Sequence, residues 1–125
     1  MTVTLRCEIF PRDLDPTVDF YTRVLRFRLD RDERQAESPY VALRRGEVLL
    51  GAASRDVAVS PDHRRPPTGV ELVLEVEDVL GELDYVRGQG WPVEEDLVAR
   101  PWGLRDFRVL DPSGYYLRLT SQDRP

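Results

Sequence analysis

Residues 13–25 read DLDPTVDFYTRVL, and residues 78–90 read DVLGELDYVRGQG. Laid over one another at an offset of 65 positions, they match Asp13 with Asp78, Leu14 with Val79, Val18 with Leu83 and Phe20 with Tyr85. A match at fixed spacing points to one supersecondary unit used twice. The chemistry inside each copy agrees. In the first, Asp15-Pro16 supplies an N-cap and a proline at the first helical position, after which Val18, Tyr21 and Leu25 fall on one helical face. In the second, Asp78 caps a helix carrying Val79, Leu83 and Val86, stopped by Gly88, Gly90 and Pro92.

Outward from these helices, each copy has a strand before its helix and three strands after it. The first copy reads as a strand near 3–10, a helix near 16–25 and strands near 26–32, 39–45 and 47–54. The second reads as a strand at 69–77, a helix at 79–88 and strands near 92–99, 104–110 and 115–121. Arg45-Gly46 separates two alternating apolar runs, and Asp111-Pro112-Ser113-Gly114 has the residue order of a type I turn. Pro61, Pro66 and Pro67 with several charges mark a linker. The expected organisation is an α+β fold of two βαβββ modules within a single domain, module one 1–54, linker 55–68 and module two 69–125.

A chain of 125 residues is long enough for one domain with a core, or for two small modules that share one. Hydrophobic residues are 41% and charged residues 33%, and no stretch approaches the ~20 apolar residues of a membrane span. The start, MTVTLRCEIFPRDLD, has no basic stretch followed by an apolar run, which sets the expectation of a cytoplasmic protein. One cysteine, Cys7, cannot build an internal disulfide framework and reads as a small hydrophobe on the helix-facing side. All 18 basic residues are arginine against 23 acids, a net charge of −5, which argues against nucleic acid as a partner and would attract a cationic small molecule.

Period-two alternation separates each sheet into two faces. Leu5, Cys7 and Ile9, with Leu72, Leu74 and Val76, and with Leu117 and Leu119, form the face expected under the helices. The other face carries Arg6, Glu8 and Phe10, then Glu71, Val73 and Glu75, then Tyr116, Arg118 and Thr120. Alternation leaves two readings of this face open, a solvated surface and a wall that lines a ligand. Arg6, Glu71 and Arg118 could also pair with one another in a purely structural network.

The segments DLDPTVDFYTRVLRFRLDRD (13–32), YVALRRGEVLL (40–50) and PWGLRDFRVLDPSGYYLRLT (101–120) resemble the vicinal-oxygen-chelate superfamily, and within it the glyoxalase/bleomycin-resistance proteins. The pattern Pro-Trp-Gly, Arg-Asp-Phe, Asp-Pro-x-Gly looks like the antibiotic-binding branch. The resemblance implies paired βαβββ modules that each curl a sheet around one side of a cleft, and homodimers with clefts between protomers. Metal-dependent members place His or Glu ligands on the first and last strands of each module. Those positions here are Arg6, Leu50, Glu71 and Arg118. Only Glu71 is a ligand type, and two permanent guanidinium cations would repel a divalent ion, so no metal and no other cofactor is expected. His63, in the linker, reads as structural.

With no glycine-rich phosphate loop, no Gly-x-Ser-x-Gly elbow and no second His or Cys, no catalytic residue is assigned. The expectation is a protein that sequesters a bulky natural product, bleomycin-like or an aromatic polyketide or enediyne, and so confers resistance without turnover. The candidate ligand-binding residues are Arg6, Glu8, Phe10, Glu71, Trp102, Arg105, Phe107, Tyr116 and Arg118. Phe107 enters this set because pairing about Asp111 to Gly114 would put it opposite Arg118, and Trp102 because it could form a lip over the site. Trp91, at the helix exit, reads as structural packing. One alternative is a metal-free isomerase or cyclase using Glu8 or Glu71 as general base. Another is a metal enzyme whose register differs by two, with Glu8, Glu47 or Glu75 as ligands.

Overall fold

The computed structural model describes residues 3–56, 64, 66–67 and 69–122. His63 and part of the 55–68 linker lie outside the described residues. The chain divides into two compact units, Met1–Ala58 and Val59–Pro125. In module one, β1 (Arg6–Ile9) is followed by α1 (Leu14–Asp19), which runs on into a π-helical turn (Phe20–Val24), and then by β2 (Arg28–Glu33), β3 (Tyr40–Arg45) and β4 (Val48–Ala53). Module two repeats the order with β5 (Leu72–Val76), α2 (Val79–Gly88), β6 (Glu95–Ala99), β7 (Arg105–Leu110) and β8 (Tyr116–Ser121). The two four-stranded sheets have orders β1-β4-β3-β2 and β5-β8-β7-β6. In each, the first strand lies parallel to the last and the remaining pairs are antiparallel. This is the α+β, twice-βαβββ architecture that the repeat predicts.

The helix starts follow the repeat more closely than the local dipeptide. Asp13, not Asp15, caps α1, accepting from the Asp15 backbone N–H at 3.2 Å, so the helix begins two residues before the expected position. Asp78 caps α2 by accepting from the Gly81 N–H at 3.0 Å. A Cβ at Gly81 would sit 2.5 Å from the Asp78 carboxylate, so glycine is what lets this cap close. At the end of α1 the Leu25 N–H reaches back five residues to the Phe20 carbonyl at 3.2 Å. Phe20, Tyr21, Val24 and Leu25 of this wider turn are all buried in the core. Arg26, at φ 59°, then ends the helix in the left-handed region.

Beneath α1 lie Ile9, Val41, Leu43, Leu50 and Ala52, with Tyr21 meeting Phe20 and Phe27 edge to face at 4.9 and 5.6 Å. Module two packs Val79, Leu83 and Val86 of α2 with Val76, Phe107, Val109, Leu117 and Leu119. Each such burial contributes roughly 1.5–3 kcal/mol. Leu5 departs from the expected apolar set. It precedes β1 and is exposed, so the helix-facing row begins at Cys7, whose thiol pKa is pushed up by burial and then by the Glu8 charge.

Phe107 requires a correction. It pairs with Leu119, not Arg118, and is fully buried on the helix-facing side; Arg108 is the residue opposite Arg118. The cause is the turn. The Gly114 N–H donates to the Asp111 carbonyl at 2.9 Å and Gly114 adopts φ 85°, while the Asp111 N–H pairs with the Tyr115 carbonyl at 3.0 Å. A type I turn followed by a left-handed glycine makes a three-residue loop, one residue longer than a two-residue hairpin, and a one-residue slip sends every side chain to the other face. Arg105 shares the parity of Phe107, is exposed, and so stands off the charged face as well.

Candidate functional site

The face of the module-two sheet turned away from α2 collects a charge network. Register puts Val73 beside Arg118 on β5 and β8, Arg108 opposite Arg118 on β7, and Asp106 opposite Thr120. Arg118 Nε approaches Glu71 Oε1 to 3.1 Å, and Arg108 Nη2 lies 3.6 Å from the same oxygen. Neither contact is a well-directed hydrogen bond, and Glu71 Oε1, Arg108 Nε and Arg118 Nε are buried with no hydrogen-bond partner among the described residues. Asp106 is almost wholly buried and is held by Arg100, whose Nε donates to its two oxygens at 3.1 and 2.9 Å and whose Nη2 donates at 2.7 Å. A further donation from Arg100 reaches Glu95. The Arg108 guanidinium lies 5.5 Å from the centre of the Tyr116 ring.

The corresponding face of module one carries smaller residues. Glu8 pairs with Gly51 on β4, which in turn pairs with Ala42 on β3. The Glu8 carboxylate lies across Gly51, accepting from the Tyr40 hydroxyl at 3.0 Å and facing Arg6 Nε at 2.6 Å. A Cβ at Gly51 would fall 2.2 Å from both Glu8 Oε2 and the Tyr40 hydroxyl, so the missing side chain makes room for this contact. Burial, followed by the hydrogen bond to Glu8, raises the Tyr40 pKa. Phe10 follows β1, partly exposed, with the Arg55 guanidinium 5.2 Å from its ring centre.

Of the residues expected from sequence, Glu71, Tyr116 and Arg118 come together on the module-two face, and Arg6 and Glu8 on the module-one face. Trp102 sits at a hairpin tip, 61% exposed. Its turn copies the Asp111 turn, with the Gly103 N–H donating to the Arg100 carbonyl at 3.0 Å and the Arg100 N–H to the Leu104 carbonyl at 2.8 Å. Trp91 donates from its indole to the Leu110 carbonyl at 2.9 Å, a packing anchor. Sequence reasoning missed Tyr40, Gly51, Arg100, Asp106 and Arg108. The glycine that closes Pro-Trp-Gly and Asp-Pro-Ser-Gly was the signal for the last two, since a left-handed glycine there shifts the register.

A separate groove of about 460 Å³ in module one is lined by Asp15, Asp32, Glu33, Arg34, Gln35 and Ala36. Its charges are internally matched. Arg34 bridges Asp15 at 3.1 Å and Asp32 at 2.7 Å, and its hydrogen bonds lower the Asp32 pKa to about 2.

The first- and last-strand positions implied as metal ligands hold Arg6, Gly51, Glu71 and Arg118. Gly51 replaces the expected Leu50, which is buried on the helix-facing side opposite Leu43. One carboxylate, two guanidiniums and a glycine do not fit a divalent cation. Glu47 lies in the β3–β4 turn and Glu75 is exposed beside Thr120, and among the described residues no three His, Cys, Asp or Glu side chains form a metal-holding group.

Among the solved structures that share the fold, three are representative. A crystal structure of TioX from Micromonospora sp. ML1 superposes with a TM-score of 0.77 at 23% identity, over 96% of this chain and 98% of that one. A bleomycin resistance determinant encoded on the transposon Tn5 gives 0.78 at 20% identity, over 98% of this chain and 100% of that one. A bleomycin-binding protein complexed with bleomycin gives 0.76 at 19% identity, over 98% and 100% respectively. No curated protein matches the sequence. The family model for the Glyoxalase/Bleomycin resistance protein/Dioxygenase superfamily matches residues 4–119, nearly the whole chain, and with the doubled βαβββ topology this makes the protein a member of that superfamily.

Proposed function

We propose that the protein binds a small natural product of the antibiotic type and sequesters it without metal catalysis, acting as a homodimer in the cytoplasm. The observation that carries this reading is the residue set at the family's metal positions. Arg6, Arg118 and Gly51 stand at three of those positions, and in module two Arg118 and its cross-strand neighbour Arg108 form a polar surface flanked by Tyr116. Guanidiniums and an aromatic ring suit an oxygenated, partly flat ligand. The likeness to a protein that holds bleomycin supports the same reading at the level of fold. A base mechanism through Glu8 or Glu71 is less well served, because both carboxylates face guanidinium groups that compete for the lone pairs a base would use.

Sequestration requires affinity and abundance only, since bound drug is removed from the free pool. The test is titration of tryptophan fluorescence with bleomycin, an anthraquinone or enediyne, and a mitomycin-type compound. Saturable quenching, weakened in Trp102→Phe, with the ligand recovered unchanged is the expected result. A ligand recovered in altered form would replace sequestration by catalysis, and the absence of binding across the panel would remove the proposal. Light scattering at micromolar protein is expected to return about twice the 14.5 kDa chain mass.

A further inference from the structure

We infer that Arg108, seated over Tyr116, receives an ionised oxygen of the ligand, so that the molecule bound on the module-two face is an aromatic compound bearing a carboxylate, sulfonate or phenolate. This rests on the reading that the face binds ligand. It departs from what the net charge of −5 suggests, because it rests on which acid each arginine reaches and not on the total. Asp106 is engaged by Arg100 through three donor contacts and lies 3.8 Å from Arg118. Glu71 is therefore the main counter-charge for both Arg108 and Arg118, and it sits closer to Arg118, at 3.1 Å against 3.6 Å.

Two guanidiniums directly opposite on antiparallel strands repel one another, and Arg108 and Arg118 share one close carboxylate, Glu71. Arg108 is the less well paired of the two. Its contact with Glu71 is the longer one, whereas Arg118 also lies 3.8 Å from Asp106, and its Nε, like that of Arg118, has no hydrogen-bond partner among the described residues. The planar fork of a guanidinium matches a two-oxygen anion, and the adjoining Tyr116 ring adds aromatic contact area beside it. Module one cannot offer the same site, since alanine and glycine occupy the equivalent positions, Ala42 and Gly51.

The experiment compares two dyes that differ by one anionic group, 1-anilinonaphthalene-8-sulfonate and neutral N-phenyl-1-naphthylamine, by fluorescence titration of the full chain. The sulfonate is expected to bind at least about tenfold more tightly, the effect of one charge-assisted hydrogen bond, with the preference shrinking as salt is added. Arg108→Gln should abolish the preference while leaving the neutral dye bound, and Arg108→Lys should keep part of it. Arg87→Gln, which removes a surface pair with Asp96, should change neither. Equal affinities for the two dyes, or a preference that survives in a folded Arg108→Gln protein, would overturn the inference. If neither dye binds while bleomycin or the anthraquinone does, only this inference falls; if nothing binds, the sequestration reading falls with it.

Discussion

Superposed by strand register, Arg6, Tyr40, Ala42 and Gly51 of module one occupy the positions of Glu71, Asp106, Arg108 and Arg118 in module two. The same βαβββ frame carries a floor of small residues under one hydrogen-bonded Glu8–Tyr40 pair in the first case. In the second it carries interlocking ions, with a buried aspartate at their base. Both modules bury comparable apolar rows beneath their helices, so the frame is held by the hydrophobic side and the open side is left to vary. Duplication has preserved the half that folds and let the half that meets solvent or ligand diverge.

The sharpest way to break this contrast is Asp106→Ala. The carboxylate is 1% exposed, and its loss leaves Arg100 with Glu95 alone and Arg118 without its second acid. Removing one partner from a buried pair costs about 3–5 kcal/mol, and the partial exposure of Arg100 places the expectation at the lower end, about 3 kcal/mol. Urea unfolding should show it as a lowered midpoint with an unchanged slope. Tyr40→Ala, the same position in module one, should cost less, because Tyr40 is only half-buried and its hydroxyl meets a carboxylate that keeps Arg6. A reversed order would mean that the network in module two is ornamental.

Glu71→Gln sharpens the contrast from the other side. It keeps the shape of the side chain and removes the charge that both Arg108 and Arg118 face. With side-chain exposures between 19% and 30% the group is partly screened, and we expect a loss of about 1–2 kcal/mol. Added salt should recover much of it, since the remaining cost is repulsion between two guanidiniums across the strands. A salt-independent loss would place the effect in packing. Ion pairing in the module-two face would then be incidental to stability.

The topology was legible because it depends on signals that repeat. Asp13 and Asp78 at a 65-residue offset, the helical apolar spacing and the turn glycines together specify the order of elements, and every expected strand is present within a few residues. The open faces were legible only where a strand could be followed without crossing a turn. Alternation within a single strand places Arg6, Glu8, Glu71, Tyr116 and Arg118, and they share the expected faces. The face of Phe107 depends on pairing across a hairpin, and one left-handed glycine reverses it. Gly51 was hidden for a similar reason, because counting from Gly46 reached Leu50, on the wrong side of the pleat. Asp106 and Arg100 became visible only with the Pro-Trp-Gly turn in place, since their contact spans it.

Gly51 itself provides the smallest effect and the finest test. Its added Cβ would meet only the ends of two flexible side chains, the Glu8 carboxylate and the Tyr40 hydroxyl, both of which can swing away. Gly51→Ala should therefore cost no more than about 1 kcal/mol, with lost Glu8–Tyr40 contact set against the lower chain entropy of alanine in the unfolded state. Because burial contributes more than Glu8 does to the raised Tyr40 pKa, displacing both groups toward solvent should bring the phenol back toward its ordinary value. Ultraviolet titration of the tyrosines, read as the difference between Gly51→Ala and the parent protein, would show this. A Tyr40 titration that does not move, in a variant that folds, would mean that Gly51 is not what seats the Glu8–Tyr40 pair.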